Sequence, residues 1–137
     1  MRVMAVDLGD VRTGIALSDE TGFLASPLCV IEERHFKARV KKVCAKARET
    51  GAAEVVIGYP KNMDGSIGAR AEKAAEFAEL ARAELAELKI PVILWDERNT
   101  TISAANYLNT TNTRGKKRKE VIDKVAAVII LQSYLDK

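Results

Sequence analysis

The sequence predicts an α/β fold in which a mixed five-stranded sheet carries helices on both faces. The first observation is that three β-rich segments, separated by turns short enough for hairpins, precede the first helical pattern. The second is that two short apolar runs then alternate with helical patterns, as parallel strands joined through helices do. A composition of 47% hydrophobic and 30% charged residues suits a globular chain of 137 residues.

The five predicted strands differ in the environment that their composition suggests. Their predicted bounds are residues 2–7, 13–18, 23–31, 54–60 and 91–96. The third contains Pro27, which has no backbone N–H to donate and therefore favours an edge of the sheet. The fourth, EVVIGYP, is a continuous apolar run typical of a central parallel strand. We expect the strand order 3-2-1-4-5, with strands 1, 4 and 5 parallel.

Apolar residues at helical spacing predict four helices. Their predicted bounds are residues 35–49, 69–88, 101–108 and 119–135. Gly51 is expected to end the first helix, and Leu88 shares the apolar stripe of the second with Phe77. The polar run NTTNTRGKKRK, residues 109–119, has no apolar periodicity and predicts a mobile loop. The resulting order, βββαβαβαα, is the order of the RNase H-like architecture.

The composition excludes several kinds of site. Cys29 and Cys44 lack metal-ligand spacing and His35 is the single histidine, so neither a histidine-rich zinc site nor a Ser–His–Asp triad can be built. No apolar run approaches the roughly 20 residues of a membrane helix, and the first residues lack a signal-peptide pattern. We therefore expect one domain over residues 1–137 in a reducing cytoplasm, without a membrane partner. Any catalysis by this chain falls to carboxylates.

Polar side chains stand at the carboxyl ends of the three predicted parallel strands. Asp7 follows the first, the segment PKNMDG follows the fourth, and Glu97 follows the fifth. Each alone is also explained by a turn or a surface ion pair. Because parallel strands end at one edge of their sheet, we expect these side chains to converge there. Asp123, in the last predicted helix, shares a face with Ala127 and Ile130 and could meet Asp7, although an early acid also suits the helix dipole.

Asp7, Glu97 and Asp123 together would form a cluster of oxygen donors. Carboxylates brought close together cannot all ionise without a cation, and hard oxygen donors without His or Cys suit Mg²⁺ or Mn²⁺. Two such ions, about 3.5–4 Å apart, can activate a water and stabilise the leaving oxygen in phosphodiester hydrolysis. We therefore predict a metal-dependent nuclease whose metal-binding and catalytic residues are these three carboxylates. Gly9 and Gly14 would let the backbone approach metal or phosphate closely.

The net charge of +3 arises near the end of the chain. Residues 110–137 contain seven Lys/Arg and three Asp/Glu, whereas residues 1–109 contain 15 and 16. Five of the six residues in RGKKRK are basic, and such a run is either a solvated loop or a contact to a phosphate backbone. In the second interpretation the phosphate-binding residues are Arg114, Lys116, Lys117, Arg118 and Lys119.

Four blocks of the sequence resemble the YqgF family of RuvX-type proteins, which are described as Holliday-junction resolvases and pre-16S rRNA nucleases. The blocks are AVDLGDVRTGIALSD, VVIGYPKNMDGSIGARAEKAAEFA, DERNTTISA and KEVIDKVAAVIILQSYL. The resemblance implies an RNase H-like fold, a cytoplasmic location and a role in maturing the 5′ end of small-subunit rRNA. It also places the family's acidic residues at Asp7, Glu97 and Asp123. The residues that it implies as phosphate contacts or supports of the carboxylates are Arg12, Asn62 and Arg98.

Three classes of function remain open on the sequence. The favoured one is a metal-dependent endonuclease on structured RNA, acting in 5′-end processing of pre-16S rRNA with the assembling small ribosomal subunit as a partner. A Holliday-junction resolvase on branched DNA uses the same chemistry but would call for a dimer, so a monomer and a weak homodimer both stay open. A non-catalytic ribosome-assembly module is disfavoured because carboxylates repel phosphate unless a metal intervenes. A sugar-kinase-like fold would need a second such domain.

Overall fold

The computed structural model describes the backbone of residues 1–99 and 115–137 and the side chains of residues 1–98 and 124–137. Its strands are β1 (Val3–Leu8), β2 (Arg12–Ser18), β3 (Ala25–Glu32), β4 (Glu54–Tyr59) and β5 (Val92–Asp96). Its α-helices in these ranges are α1 (Phe36–Thr50), α2 (Ala69–Leu85) and α3 (Gly115–Leu135), and 3₁₀ turns cover Ala86–Leu88 and Glu97–Asn99. The helix predicted over residues 101–108 lies outside the described residues.

The five strands form one mixed sheet in the order β3-β2-β1-β4-β5. β1 pairs antiparallel with β2 and parallel with β4, β2 pairs antiparallel with β3, and β4 pairs parallel with β5. Strand order and direction agree with the prediction, and these strands begin and end within two residues of their predicted bounds. β3, which contains Pro27, lies at an edge, as expected of a strand that lacks one backbone donor.

Side chains along β1 alternate between two hydrophobic layers, one on each face of the sheet. Val6 points into the layer beneath α1 and α2, where Phe77 is fully buried. Ala5 points into the layer beneath α3, together with Ala127. Helices therefore cover both faces, as predicted. The same alternation puts Asp7, the residue after Val6, on the α3 face at the carboxyl end of the strand.

The ends of α1 follow the prediction, whereas the end of α2 departs from it. Nδ1 of His35 accepts a hydrogen bond from the Ala38 N–H at 3.2 Å, and Gly51 ends the helix with a φ of 70°. α2 ends at Leu85, and the predicted continuation to Leu88 was wrong, since Leu88 is 53% exposed. The 3₁₀ turn has about three residues per turn instead of 3.6, which rotates Leu88 away from the apolar stripe.

α3 begins at Gly115, so the predicted start at Lys119 and the predicted loop over residues 109–119 are wrong where they meet the helix. Sequence reasoning stopped at Lys119 because the basic run has no apolar periodicity and cations in a first turn oppose the helix dipole. Lysine and arginine nevertheless have high helix propensity, and burial of later turns against the sheet sustains the helix. Neither α3 nor another helix in the described ranges is long and apolar enough to cross a membrane.

Two contacts fix the direction of α3 across the sheet. The Tyr134 hydroxyl donates to Oε1 of Glu54 at 2.5 Å, at the amino end of β4, and burial together with this bond raises the pKa of Tyr134 to about 12. One turn earlier, Cδ1 of Ile130 lies over Gly58, near the carboxyl end of the same strand. α3 therefore runs antiparallel to β4, and its first turns lie toward the carboxyl edge of the parallel strands.

Candidate active site

Asp7 is flanked by glycines on both neighbouring strands. In the antiparallel ladder it pairs directly with Gly14 of β2. In the parallel ladder Val6 pairs with Ile57, so Gly58 of β4 lies beside Asp7. Asp7 is half-buried, and neither neighbour places a side chain on the α3 face next to it. The two glycines leave room on both sides of the Asp7 carboxylate.

The carboxylate of Glu97 occupies the space above Gly58. A Cβ atom built on Gly58 would lie 3.0 Å from Oε1 and 3.1 Å from Cδ of Glu97, and 2.7 Å from Cδ1 of Ile130. Glu97 is the first residue of the 3₁₀ turn after β5, and its side chain reaches back across β4. The structure therefore places a second carboxylate at the β4 position adjacent to Asp7, where β4 itself supplies no acid.

Burial raises the pKa of Glu97, because loss of water penalises its charged form. The positive charge of Arg70, at the start of α2, acts in the opposite direction, and the negative charge of Asp96 adds to the rise. Burial outweighs the nearby positive charge, so the ionised form of Glu97 is disfavoured unless a further cation is present. This environment suits a carboxylate that shares a cation with Asp7.

Six of the predicted site residues have side chains outside the described set. They are Arg114, Lys116, Lys117, Arg118, Lys119 and Asp123. Residues 116–119 belong to the first turns of α3. Asp123 lies further along this helix, seven residues before Ile130. Within the side chains that the structure describes, no three His, Cys, Asp or Glu residues come together as a metal site. The structure thus brings together Asp7 and Glu97 and leaves the third carboxylate a prediction.

Arg39 of α1 holds the loop that follows Asp7, a role that sequence reasoning missed. Its guanidinium is buried and donates to the carbonyls of Gly9, Asp10 and Glu33, the last at 2.9 Å. Desolvation lowers the pKa of Arg39, and Asp10 and Glu33 partly offset that effect. The signal was present in the sequence, because Arg39 lies four residues before Val43 on the apolar stripe of α1.

The β1–β2 turn explains Gly9 without reference to a ligand. The Gly9 N–H donates to the carbonyl oxygen of Arg12 at 3.0 Å, and a Cβ atom on Gly9 would collide with that same oxygen. The close contact that requires glycine at position 9 is therefore with the Arg12 carbonyl of the same turn. This tight turn, together with Arg39, sets the direction in which β1 leaves the sheet after Asp7.

The three predicted phosphate contacts outside the basic run are each engaged within the protein. Nε of Arg12 lies 3.3 Å from Glu32, and the Asn62 amide donates to Ser66 at 2.9 Å. Arg98 pairs with Asp96 at 2.8 Å and lowers the pKa of that carboxyl. Nη1 of Arg98 also reaches the Met63 carbonyl at 3.5 Å. Through these bonds Arg98 ties the loop after β4 to the end of β5.

A sheet of order 3-2-1-4-5 with two carboxylates at its carboxyl edge defines an RNase H-like domain with an acidic site. The chain belongs to the RuvX Holliday junction resolvase family, whose model matches residues 1–137. A relative from Geobacillus sp. (strain WCH70), named "Putative pre-16S rRNA nuclease", is 45% identical over 138 residues, covering 99% of this chain and 98% of its own. The resemblance to RuvX-type proteins is thereby confirmed.

Two solved structures share the fold over nearly the whole chain. Thermus thermophilus RuvC in complex with Holliday junction substrate has a TM-score of 0.60 at 14% identity, covering 99% of this chain and 95% of that one. The fowlpox virus Holliday junction resolvase has a TM-score of 0.59 at 14% identity and covers 99% of both chains. These similarities confirm the predicted RNase H-like architecture.

Proposed function

We propose that this chain is a metal-dependent endonuclease that hydrolyses phosphodiester bonds in the 5′-end processing of pre-16S rRNA. The observation that carries the proposal is the Glu97 carboxylate lying over Gly58, beside Asp7 at the carboxyl edge of the sheet. Membership of a resolvase family supports nuclease chemistry, and the name of the Geobacillus relative supports pre-16S rRNA as the substrate.

Mg²⁺ or Mn²⁺ is the cofactor that fits the donor set. Asp7 and Glu97 offer oxygen donors, which these hard cations prefer. Burial disfavours the charged form of Glu97, and a bound cation would favour it again. When bound, such ions lower the pKa of a water and stabilise negative charge on the leaving oxygen.

Asp123 is proposed as the third carboxylate of the site. It lies four residues before Ala127 and seven before Ile130, and this spacing assigns position 123 to the face of α3 that packs on the sheet. α3 runs antiparallel to β4, so positions before Ile130 lie beyond Gly58, toward the carboxyl edge. Asp123 would thus approach the pair formed by Asp7 and Glu97.

The remaining groups would position the site or bind the substrate without taking part in the reaction. Arg39 and the tight turn at Gly9 keep the segment after Asp7 in one position. The residues proposed to contact phosphates are Arg12, Asn62, Arg98, Arg114, Lys116, Lys117, Arg118 and Lys119. We propose that residues 1–137 act as one domain in the cytoplasm, as a monomer or weak homodimer, on RNA presented by the assembling small ribosomal subunit.

A second candidate is resolution of four-way DNA junctions, which is favoured by the family description and uses the same carboxylates. The two activities are separated by cleavage of two labelled substrates in Mg²⁺ or Mn²⁺. One is an RNA with the precursor 5′ extension, and the other is a four-way DNA junction. Wild type is expected to cut the RNA; preferential cutting of the junction would make the chain a resolvase.

Asp7→Asn and Glu97→Gln test the site itself, with Glu87→Gln as a control far from it. Both site variants are expected to lose cleavage, and Mn²⁺ is expected to raise the melting temperature of wild type and of the control only. If wild type and the three variants all bound the RNA tightly without cutting it, the chain would instead be a non-catalytic assembly module. Unchanged cleavage by Asp7→Asn would disprove the proposed site.

A further inference from the structure

A basic pocket of about 250 Å³ lies between the starts of α1 and α2. The lining residues that matter here are Gly9, Asp10, Arg34, Phe36, Arg70 and Lys73. Leu8 also lines it, and Leu8 points to the face of α1 and α2. The pocket therefore opens on the opposite face of β1 from Asp7.

The charges around this pocket are available to a ligand. Arg34, Arg70 and Lys73 are exposed, and among the described residues no carboxylate lies within ion-pair distance of them. Arg12 and Arg98, in contrast, are already paired with carboxylates. The Nζ atom of Lys73 lies 4.9 Å from the centre of the Phe36 ring, a cation–π contact that keeps this charge at the pocket wall.

Both helices direct their positive ends at the pocket. Phe36 is the first residue of α1, and Arg70 is the second residue of α2. Gly68, which caps α2, offers no side chain to the free N–H groups of the first turn. Two helix dipoles and four cationic side chains, the three exposed ones and the buried Arg39, face one cavity against a single carboxylate, that of Asp10, among the described residues. Phosphate is the biological anion that such an arrangement suits best.

The pocket is adjacent to the candidate active site across the edge of the sheet. Asp7, Leu8, Gly9 and Asp10 are consecutive, so the acidic site and the pocket are lined by opposite sides of one short segment. Arg70 lines the pocket, and its charge also acts on Glu97. A nucleic-acid strand that crosses the carboxyl edge of the sheet can therefore contact the first turns of α3, then the two carboxylates, and then the pocket.

We propose that this pocket binds a backbone phosphodiester of the nucleic-acid substrate, next to the one held for cleavage at Asp7 and Glu97. The proposal rests on the proposed function, because it assigns the pocket to the same substrate. It adds Arg34, Arg70 and Lys73 to the phosphate-binding residues. Free phosphate offers similar chemistry, and the experiment separates the two sources.

The test measures binding of the labelled RNA and of the labelled four-way junction by fluorescence anisotropy in EDTA over a range of KCl. The variants are Arg70→Gln/Lys73→Gln and the charge-retaining Arg70→Lys/Lys73→Arg. The control is Lys46→Gln/Lys89→Gln, which removes the same charge near the opposite end of the parallel strands. For two lost contacts, we expect the Kd of the first variant to rise about tenfold and its log–log salt slope to fall by about 1.4–1.8.

Wild-type affinity in the charge-retaining variant and in the control would support the proposal. A salt slope for Arg70→Gln/Lys73→Gln equal to that of the control would overturn it. The proposal would also be overturned if inorganic phosphate raised the melting temperature of wild type but not of Arg70→Gln/Lys73→Gln, while the two proteins bound nucleic acid with equal affinity. The pocket would then bind free phosphate. Failure of the proposed function is distinguishable, because it appears as absent metal-dependent cleavage by wild type, whereas binding in EDTA needs no cleavage.

Discussion

Oε1 of Glu97 lies 3.0 Å from the point where Gly58 would carry a Cβ atom. The glutamate thus takes the place of a side chain that β4 lacks, and a fifth-strand residue reaches the neighbourhood of Asp7 without distorting the sheet. The second carboxylate of the candidate site depends on the absence of one methyl group.

Gly58→Ala is therefore expected to displace Glu97 and lower kcat by about 100-fold, the typical result of misplacing a catalytic group by about 1 Å. The protein should remain folded, because Ile130 meets the new methyl only with the end of its flexible side chain. Gly68→Ala is the matched control, since its nearest neighbour, the Asn62 amide, is 3.7 Å away. Steady-state kinetics of both variants check the prediction, and equal kcat values would refute it.

Arg39→Met is expected to lower the free energy of unfolding by about 3 kcal/mol. The substitution leaves the carbonyls of Gly9, Asp10 and Glu33 without their buried donor, and each such loss costs about 1 kcal/mol or more. Lys37→Met, at an exposed position of the same helix, serves as the control. Urea unfolding measures the free energy of unfolding of both variants. A difference between them below about 1 kcal/mol would show that the loop after Asp7 keeps its conformation without Arg39.

Thr13→Val is expected to stabilise the protein by about 1 kcal/mol. The Thr13 hydroxyl is fully buried, and among the described residues it has no hydrogen-bond partner, so a methyl of the same shape removes an unmet polar group. Ser18→Ala is the contrasting variant, because Ser18 Oγ accepts from Val3 at 2.8 Å and donates to the Asp19 carbonyl at 2.9 Å. Urea unfolding should shift in opposite directions for the two.

Acid unfolding should depend on Asp19, whose pKa is lowered to about 2. The Thr21 hydroxyl and the N–H groups of Leu24 and Phe23 donate to its carboxylate and favour the charged form. A lowered pKa contributes stability above the ordinary aspartate value of 3.8, and this contribution is lost as pH falls through about 2.

Asp19→Asn should therefore flatten the fall in melting temperature across that pH window, whereas Glu20→Gln, an exposed neighbour, should not. Melting temperatures measured from neutral pH down to about pH 2 provide the check. Parallel curves for wild type and Asp19→Asn would contradict the assignment.

Strand order and the convergence of Asp7 with Glu97 were within reach of the sequence, because both follow from period-two alternation and from parallel strands ending at one edge. Periodicity reports which face of an element is buried, and that is sufficient for a sheet. It gives no start for a helix whose first turns are basic and lack apolar periodicity, so the start of α3 at Gly115 was missed. Arg39 and the pocket were missed because both depend on how α1 and α2 sit against the loop after β1.

The position of Pro27 has a consequence for self-association. β3 is the last strand on its side of the sheet, and an uncovered edge can act as a template for another chain. Pro27 offers no N–H for such pairing, and the register shifts between Ile15 and Ala16 along the β2–β3 ladder, a bulge-like irregularity that bends the edge. Replacing Pro27 with a β-branched residue would therefore make the protein more prone to aggregate through its edge, with its active site intact.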